Sequence, residues 1–277
     1  MTGTTATPRP GGELPSALDA LEAIIRRIGD ASPMICLDYD GTLTPLQPRP
    51  ELAHLPRATA VLLRGLARRR PVAVISGRAL ADIRRMVGID GIYYAGNHGY
   101  EIEGPDHSGL KHTVGDTYLE NISAAHQELS GLQATFPGML LENKVYSLSL
   151  HYRGVAPDRH GALHEAISSV ARRHPRLSRH EGKMVVELRP AERWHKGEAL
   201  RHIEEFVAAE TGPVVPLFIG DDVTDEDAFA LIKGRGIGIR VGDGGHLTLA
   251  DYRLENPEEV AAFLARLDQA IPPATGG

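Results

Sequence analysis

One cysteine, one tryptophan and no excess of positive charge set this 277-residue chain apart by what they leave out. A lone thiol, Cys36, cannot close an internal disulfide. Its place inside the apolar run MICL suits a small buried hydrophobe better than a catalytic nucleophile. Thirty basic residues against 36 acidic ones give a net charge of −6, so the electrostatic footprint of a nucleic-acid binder is missing. No run approaches the ~18 apolar residues of a membrane span. The opening stretch MTGTTATPRPGGELP lacks the apolar segment of an export signal. No GxxxxGK(S/T) loop occurs, which removes a P-loop kinase, and none of the 13 histidines pairs with cysteine at metal-ligand spacing. The expectation is a cytoplasmic protein with neither a nucleic-acid nor a membrane partner.

What is present is a core-forming composition, 42% hydrophobic and 24% charged, the balance of a globular protein with a full interior. The first residues are rich in Pro, Gly and Thr, and ALDALEAIIRRIG then has the spacing of a short amphipathic helix. Residues 1–29 are therefore expected to be a disordered or helical extension. Apolar strand-like runs (PMICL, PVAVIS, VVPLFIG) next alternate with helix-like ones (ATAVLLRGLARR, ALADIRRMV, HKGEALRHIEEFVAAE). That alternation predicts a parallel sheet covered on both faces. Between 113 and 191 the rhythm changes to helix, two strands, helix, two strands, and VYSLSLHYR alternates with period two. The fold class is read as α/β: a Rossmann-like core over 30–112 and 192–277, interrupted by an inserted α+β unit of αββαββ order over 113–191.

The chemistry starts at LDYDGTLTP. Residues two apart on an extended segment share a face. Asp38 and Asp40 are thereby crowded at a cost of about 3 kcal/mol, for ~5 Å and an effective dielectric of ~20. Such a pair persists when a cation sits beside it or one carboxyl keeps a proton. Loops after parallel strands gather at the carboxyl edge of the sheet. This adds Ser76 from VISGR, Asp221, Asp222 and Asp225 from FIGDDVTDED, and Lys196 from WHKGEAL. Clustered carboxylates suit Mg2+, and a phosphate dianion completes the charge balance, with Ser76 and turn amides as donors. The reaction that uses all these groups is phosphoryl transfer to a carboxylate, then hydrolysis. Asp38 attacks, while Asp40 gives a proton to the leaving alcohol and later takes one from water.

Four stretches in order, DYDGTLTP, ISGR, the Lys-Gly of WHKGEAL and GDDVTDED, resemble the motifs of the haloacid-dehalogenase phosphatase superfamily. The αββαββ insertion resembles its C2B cap class. More narrowly, AGNHGYEI, ENKVYSLSLHYR and GKMVVELRP are similar to segments of trehalose-6-phosphate phosphatases. That resemblance implies Asp38 as nucleophile and Asp40 as acid/base. It implies Mg2+ held by Asp38, the Asp40 backbone carbonyl and Asp221, with Asp225 nearby through water, and a phosphoryl group bound by Ser76 and Lys196. For the sugar it implies Glu142, Lys144, Arg153, Lys183 and Glu187 of the cap, joined by Asn97 and His98 of the core. The implied substrate is a small-molecule sugar phosphate, and the implied partner a separate trehalose-6-phosphate synthase.

Taken singly, these residues have plainer roles. Asp38 and Asp40 fit a solvated turn, Ser76 fits a helix N-cap, and Asp221, Asp222 and Asp225 fit the N-terminal end of a helix, where the dipole favours acids. Cap hairpin residues such as Glu142 and Lys144 fit a solvated face. Other functions also stay open: a phosphatase for sucrose phosphate or mannosylglycerate phosphate, a phospho-acceptor switch, or a non-catalytic sugar-phosphate sensor.

Overall fold

The computed structural model describes residues 7–271 apart from 48, 183, 193, 243 and 244. The chain divides into two compact units, Met1–His112 with Trp194–Gly277, and Thr113–Arg193. In chain order the strands of the large sheet before the excursion are β1 (Ser32–Leu37), β2 (Val72–Ile75), β3 (Tyr93–Gly96), β4 (Glu101–Glu103) and β5 (Lys111–Thr113). The excursion contributes β6 (Leu140–Asn143), β7 (Leu148–His151), β8 (Leu177–Gly182) and β9 (Val185–Pro190). On return come β10 (Val214–Gly220), β11 (Ile237–Val241) and β12 (Tyr252–Leu254).

The large sheet has the order β12-β11-β10-β1-β2-β3-β4-β5. Strands β12 through β3 run parallel, and β4 turns back antiparallel to β3. Side chains on a strand alternate between faces, and here both faces are apolar. Ile35 and Leu37 point into one layer with Val72, Val74, Leu217 and Ile219. Helices α1 (Leu21–Ile28), α2 (Arg57–Ala67) and α3 (Leu80–Val87), with the C-terminal helix Pro257–Ala270, close that layer through Ile24, Leu63, Ile83 and Phe263. Met34 and Cys36 point the other way, into a layer closed by helices 196–211 and 226–232. Cys36 is fully buried, as expected of a small hydrophobe.

The N-terminal segment differs from its reading as an extension. From Arg9 on it is built into the first unit. Arg9–Pro10 pairs antiparallel with Leu247–Thr248, Ala17 N–H donates to the Arg253 carbonyl, and Ile24 and Ile28 are buried. Apolar area on the stripe of α1 and paired backbone groups hold it there, which composition alone does not reveal. Residues 1–6 of the expected disordered tail lie outside the described residues.

In the second unit the sheet order is β6-β7-β9-β8, antiparallel throughout. Its two long helices, α4 (Leu119–Ser130) and α5 (His160–Arg173), cover one face. They bury Ile122, Leu129, Leu163 and Ile167 against Leu148, Leu150, Val186 and Leu188. The opposite face carries the polar residues of the same strands.

Candidate active site

Strands β1 and β10 are neighbours, yet the chain leaves them in opposite lateral directions, β1 toward β2 and β10 toward β11. A crevice forms where the loops diverge at such a switch point. Asp38 opens the first loop and is tied to the second strand by its N–H, which donates to the Ile219 carbonyl at 2.9 Å. Asp221 opens the second. Lys196 is the first residue of helix α6 (Lys196–Thr211), whose start is capped by His195, its ring accepting from Glu198 N–H. A lysine at a helix N-terminus works against the dipole, so it needs anions close by. It has two: Nζ donates to Asp38 Oδ1 at 2.7 Å and to Asp225 Oδ1 at 2.6 Å.

All three groups are buried, Asp225 completely. Asp225 also accepts from the Asp222 N–H at 2.9 Å, while Asp222 caps the turn in return. The expected first-turn role is present for both residues, and Asp225 adds a direct ion pair to Lys196 on its other oxygen. Asp221 accepts from the Thr42 hydroxyl at 3.3 Å. The backbone yields space for it at Gly41, which has φ +87°, where a Cβ would lie 2.1 Å from Asp221 Oδ2.

Asp38, Asp221 and Asp225 each offer a carboxylate oxygen, and these oxygens lie within 4.8 Å of one another. Against three carboxylates the cluster has one ammonium. Burial opposes the charged form of Lys196, yet Asp225 and Asp38 outweigh it and hold the ammonium well above the ordinary lysine range. The acids go the other way: burial, with repulsion from Asp225 and Asp221, pushes Asp38 well up despite Lys196. Burial and Asp225 push Asp221 up to about 7. Burial is the larger cause for both acids, and the repulsion among the three carboxylates, like the raised ammonium, adds that negative charge is in excess here. A hard divalent cation with oxygen ligands fits that excess and that donor set.

Asp40 faces a different partner. Arg78 Nε and Nη2 donate to its two oxygens, each at 2.6 Å. Ser76, buried at the end of β2, does not cap the following helix, whose N-cap Ala79 has no side-chain bond. Its hydroxyl accepts from Arg78 N–H at 3.2 Å. Asn97 and His98 follow β3 as two consecutive buried residues with positive φ, 50° and 57°. His98 N–H donates to the Ser76 carbonyl, and its ring stands where a side chain at Gly77 would be, 2.6 Å from the added Cβ. The Asp38, Ser76 and Asn97 loops thus form one connected edge.

In the second unit, strand register puts Glu142, Ser149, Glu187 and His180 in one row across β6-β7-β9-β8. Glu187 is its hub, accepting from Lys144 Nζ at 3.1 Å, from Ser149 Oγ at 2.7 Å and from Arg189 Nε at 2.8 Å. Glu142 pairs with His151 at 3.3 Å. Arg153 lies in the turn after β7, exposed and outside the row. Lys183 lies outside the described residues. Sequence reasoning missed Arg78, Thr42, Ser149, His180 and Arg189. Arg78, Thr42, Ser149 and Arg189 sit inside quoted motifs, ISGR, DYDGTLTP, ENKVYSLSLHYR and GKMVVELRP, whereas which residues share a row depends on register, and His180 left no signal of its own.

A parallel α/β sheet with acids after adjacent central strands and a lysine at a helix start defines the class: the fold is that of haloacid-dehalogenase-like hydrolases. Within that class, the trehalose-phosphatase family profile matches residues 36–258. The chain belongs to this family. It is 38% identical over 259 residues to a probable trehalose-phosphate phosphatase 4 of Oryza sativa subsp. japonica, covering 91% of this chain and 70% of that one. To the trehalose-phosphate phosphatase of Mycobacterium bovis (BCG) it is 36% identical over 266 residues, covering 94% and 67%. Among solved structures, a trehalose-6-phosphate phosphatase related protein superposes with TM-score 0.73 at 26% identity, over 86% of this chain and 97% of that one.

Proposed function

We propose that this chain is a Mg2+-dependent phosphatase that hydrolyses trehalose 6-phosphate to trehalose and phosphate. The observation that carries the reading is the Lys196 bridge between Asp38 and Asp225 with Asp221 beside it, in a chain of the trehalose-phosphatase family. Asp38, Asp221 and the Asp40 carbonyl would hold the cation, with Asp225 nearby. When bound, Mg2+ supplies positive charge to the carboxylates and to the phosphoryl oxygens.

An Asp38 carboxylate oxygen forms a bond to phosphorus as the bond from phosphorus to the sugar oxygen breaks, and the departing oxygen takes a proton from Asp40. Water then attacks phosphorus of the aspartyl phosphate, Asp40 takes the water proton, and Asp38 is regenerated with release of phosphate. Lys196 keeps Asp38 oriented and offsets charge on the phosphoryl group, and Ser76 with its turn amides donates to the same group. This chemistry is indifferent to the alcohol, so selectivity needs a second surface. Residues 113–191 serve as a cap that supplies it. Half-buried polar groups such as Glu187 and Lys144 favour a ligand rich in hydroxyls, because an analogue lacking those hydroxyls forfeits the hydrogen bonds they would make to it. A cytoplasmic site of action alongside a separate synthase fits such an enzyme. Among the described residues no helix is long and apolar enough to cross a membrane.

The test is phosphate release from trehalose 6-phosphate, sucrose phosphate, mannosylglycerate phosphate and glucose 6-phosphate, with Mg2+ and with excess chelator. Turnover of trehalose 6-phosphate that needs Mg2+ and vanishes in D38N supports the reading. Preference for another sugar phosphate replaces the substrate. Single-turnover labelling without release turns the protein into a phospho-acceptor.

A further inference from the structure

The Asp40 carboxylate, partly open to solvent, is held in a guanidinium fork, while the Lys196 ammonium bonds Asp38 and Asp225 instead. Both of its oxygens are taken by Arg78, at 2.6 Å each. A fork of this kind fixes the plane and rotamer of a carboxylate, which a single donor does not. Arg78 in turn has anchors that do not involve Asp40. Nη2 also donates to the Pro50 carbonyl at 2.8 Å, Nη1 lies 3.2 Å from Met86 Sδ, and the guanidinium lies over the Tyr39 ring, 5.5 Å from its centroid. Tyr39 is pinned by its hydroxyl, which donates to the Ala53 carbonyl at 2.6 Å. The backbone of Arg78 is fixed as well: its N–H donates to Ser76 Oγ and its carbonyl accepts from Asn97 N–H at 2.6 Å.

We infer that Arg78 is the positioning residue for Asp40, and that it makes proton delivery to the leaving oxygen depend on the Ser76 loop. The inference rests on the functional reading above and deepens it. Because the guanidinium keeps its bonds to Pro50 and Met86 and its contact with the Tyr39 ring, Asp40 can give up one of its two bonds and pivot on the other while Arg78 stays in place. The oxygen set free by that pivot takes up a proton from water, since the Asp40 side chain is 34% exposed, and delivers that proton to the leaving oxygen. Without the fork, Asp40 samples several rotamers and the aligned one is rarely occupied. Arg78 itself need touch neither phosphate nor sugar.

The experiment is a double-mutant cycle, R78Q, D40N and R78Q/D40N, read as kcat/KM on trehalose 6-phosphate and on p-nitrophenyl phosphate. This parameter covers the steps up to departure of the leaving group, and p-nitrophenolate leaves without a proton. General acids contribute roughly 10²–10⁴-fold, so R78Q should lose at least about tenfold on the sugar phosphate. On p-nitrophenyl phosphate it should change by less than about threefold, and it should add nothing in the D40N background. Equal losses on both substrates, or losses of R78Q and D40N that multiply, overturn the inference, since a collapsed loop would harm both reactions alike. If R78Q does not fold, R78K keeps the charge without the fork and must give the same substrate-dependent loss. A wild type that prefers another sugar phosphate overturns only the substrate assignment, and the cycle is then read on that substrate.

Discussion

A Cβ placed on Gly41 would fall 2.1 Å from Asp221 Oδ2, so the turn after the first aspartates and the acid after β10 fit together only because residue 41 has no side chain. The φ of +87° adds backbone strain for any other residue. G41A is therefore expected to lose about 1–2 kcal/mol of stability. It should also weaken Mg2+ activation by moving Asp221. Denaturant unfolding and a Mg2+ titration of phosphate release check both parts, and an unchanged Mg2+ midpoint would separate Asp221 from the metal.

Lys196 is the cation that Asp38 and Asp225 share, with all three side chains buried. K196M leaves two buried carboxylates facing Asp221 without compensation. Breaking a buried pair from one side costs about 3–5 kcal/mol, and turnover is expected to disappear. Divalent cations should restore part of the thermal stability of this variant, because binding to the folded state alone raises its melting temperature. Differential scanning fluorimetry with and without Mg2+ measures it.

Glu187 accepts from Lys144, Ser149 and Arg189 at once. If this row reads sugar hydroxyls, E187Q should lower kcat/KM for trehalose 6-phosphate by about 10- to 1,000-fold and leave p-nitrophenyl phosphate within about threefold. Parallel losses on both substrates would mean that the row only supports the fold of the second unit.

The second unit is expected to weaken in acid. Burial and then Arg189 hold His180 below its ordinary 6.5, and the bond from His151 holds the Glu142 carboxyl below its ordinary 4.5. Both groups bind fewer protons folded than unfolded, so stability rises with pH across each window and falls on acidification. The histidine part sets in as pH drops below 6.5 and the carboxylate part below 4.5. Each is worth under about 1 kcal/mol because both side chains are partly solvated. Denaturation midpoints between about pH 4 and pH 8 should flatten in the upper range for H180N and in the lower range for E142Q.

Much of this was legible before any coordinates. Apolar strands followed by Asp38, Ser76 and Asp221 declared a parallel sheet with its chemistry at one edge, because strand period and loop position are local properties of the chain. The helix, strand, strand repeat of 113–191 was equally plain, since hairpins and amphipathic helices carry their own signals. The pairing of Arg9–Pro10 leaves no mark in its own Pro- and Gly-rich stretch, because its partner, Leu247–Thr248, lies at the other end of the sequence.

Which acid takes which cation was a different kind of question. The sequence by itself determined that Asp38, Asp221, Asp225 and Lys196 end up on the same edge, because βα order dictates it. Only the tertiary structure decided that Lys196 bonds Asp38 and Asp225, that Asp40 turns to Arg78, and that Glu187 faces Ser149 and His180. Those choices follow from strand register, sheet order and helix entry, which set distances between residues remote in the chain, and hydrogen bonds and ion pairs are decided within a few tenths of an ångström of such distances.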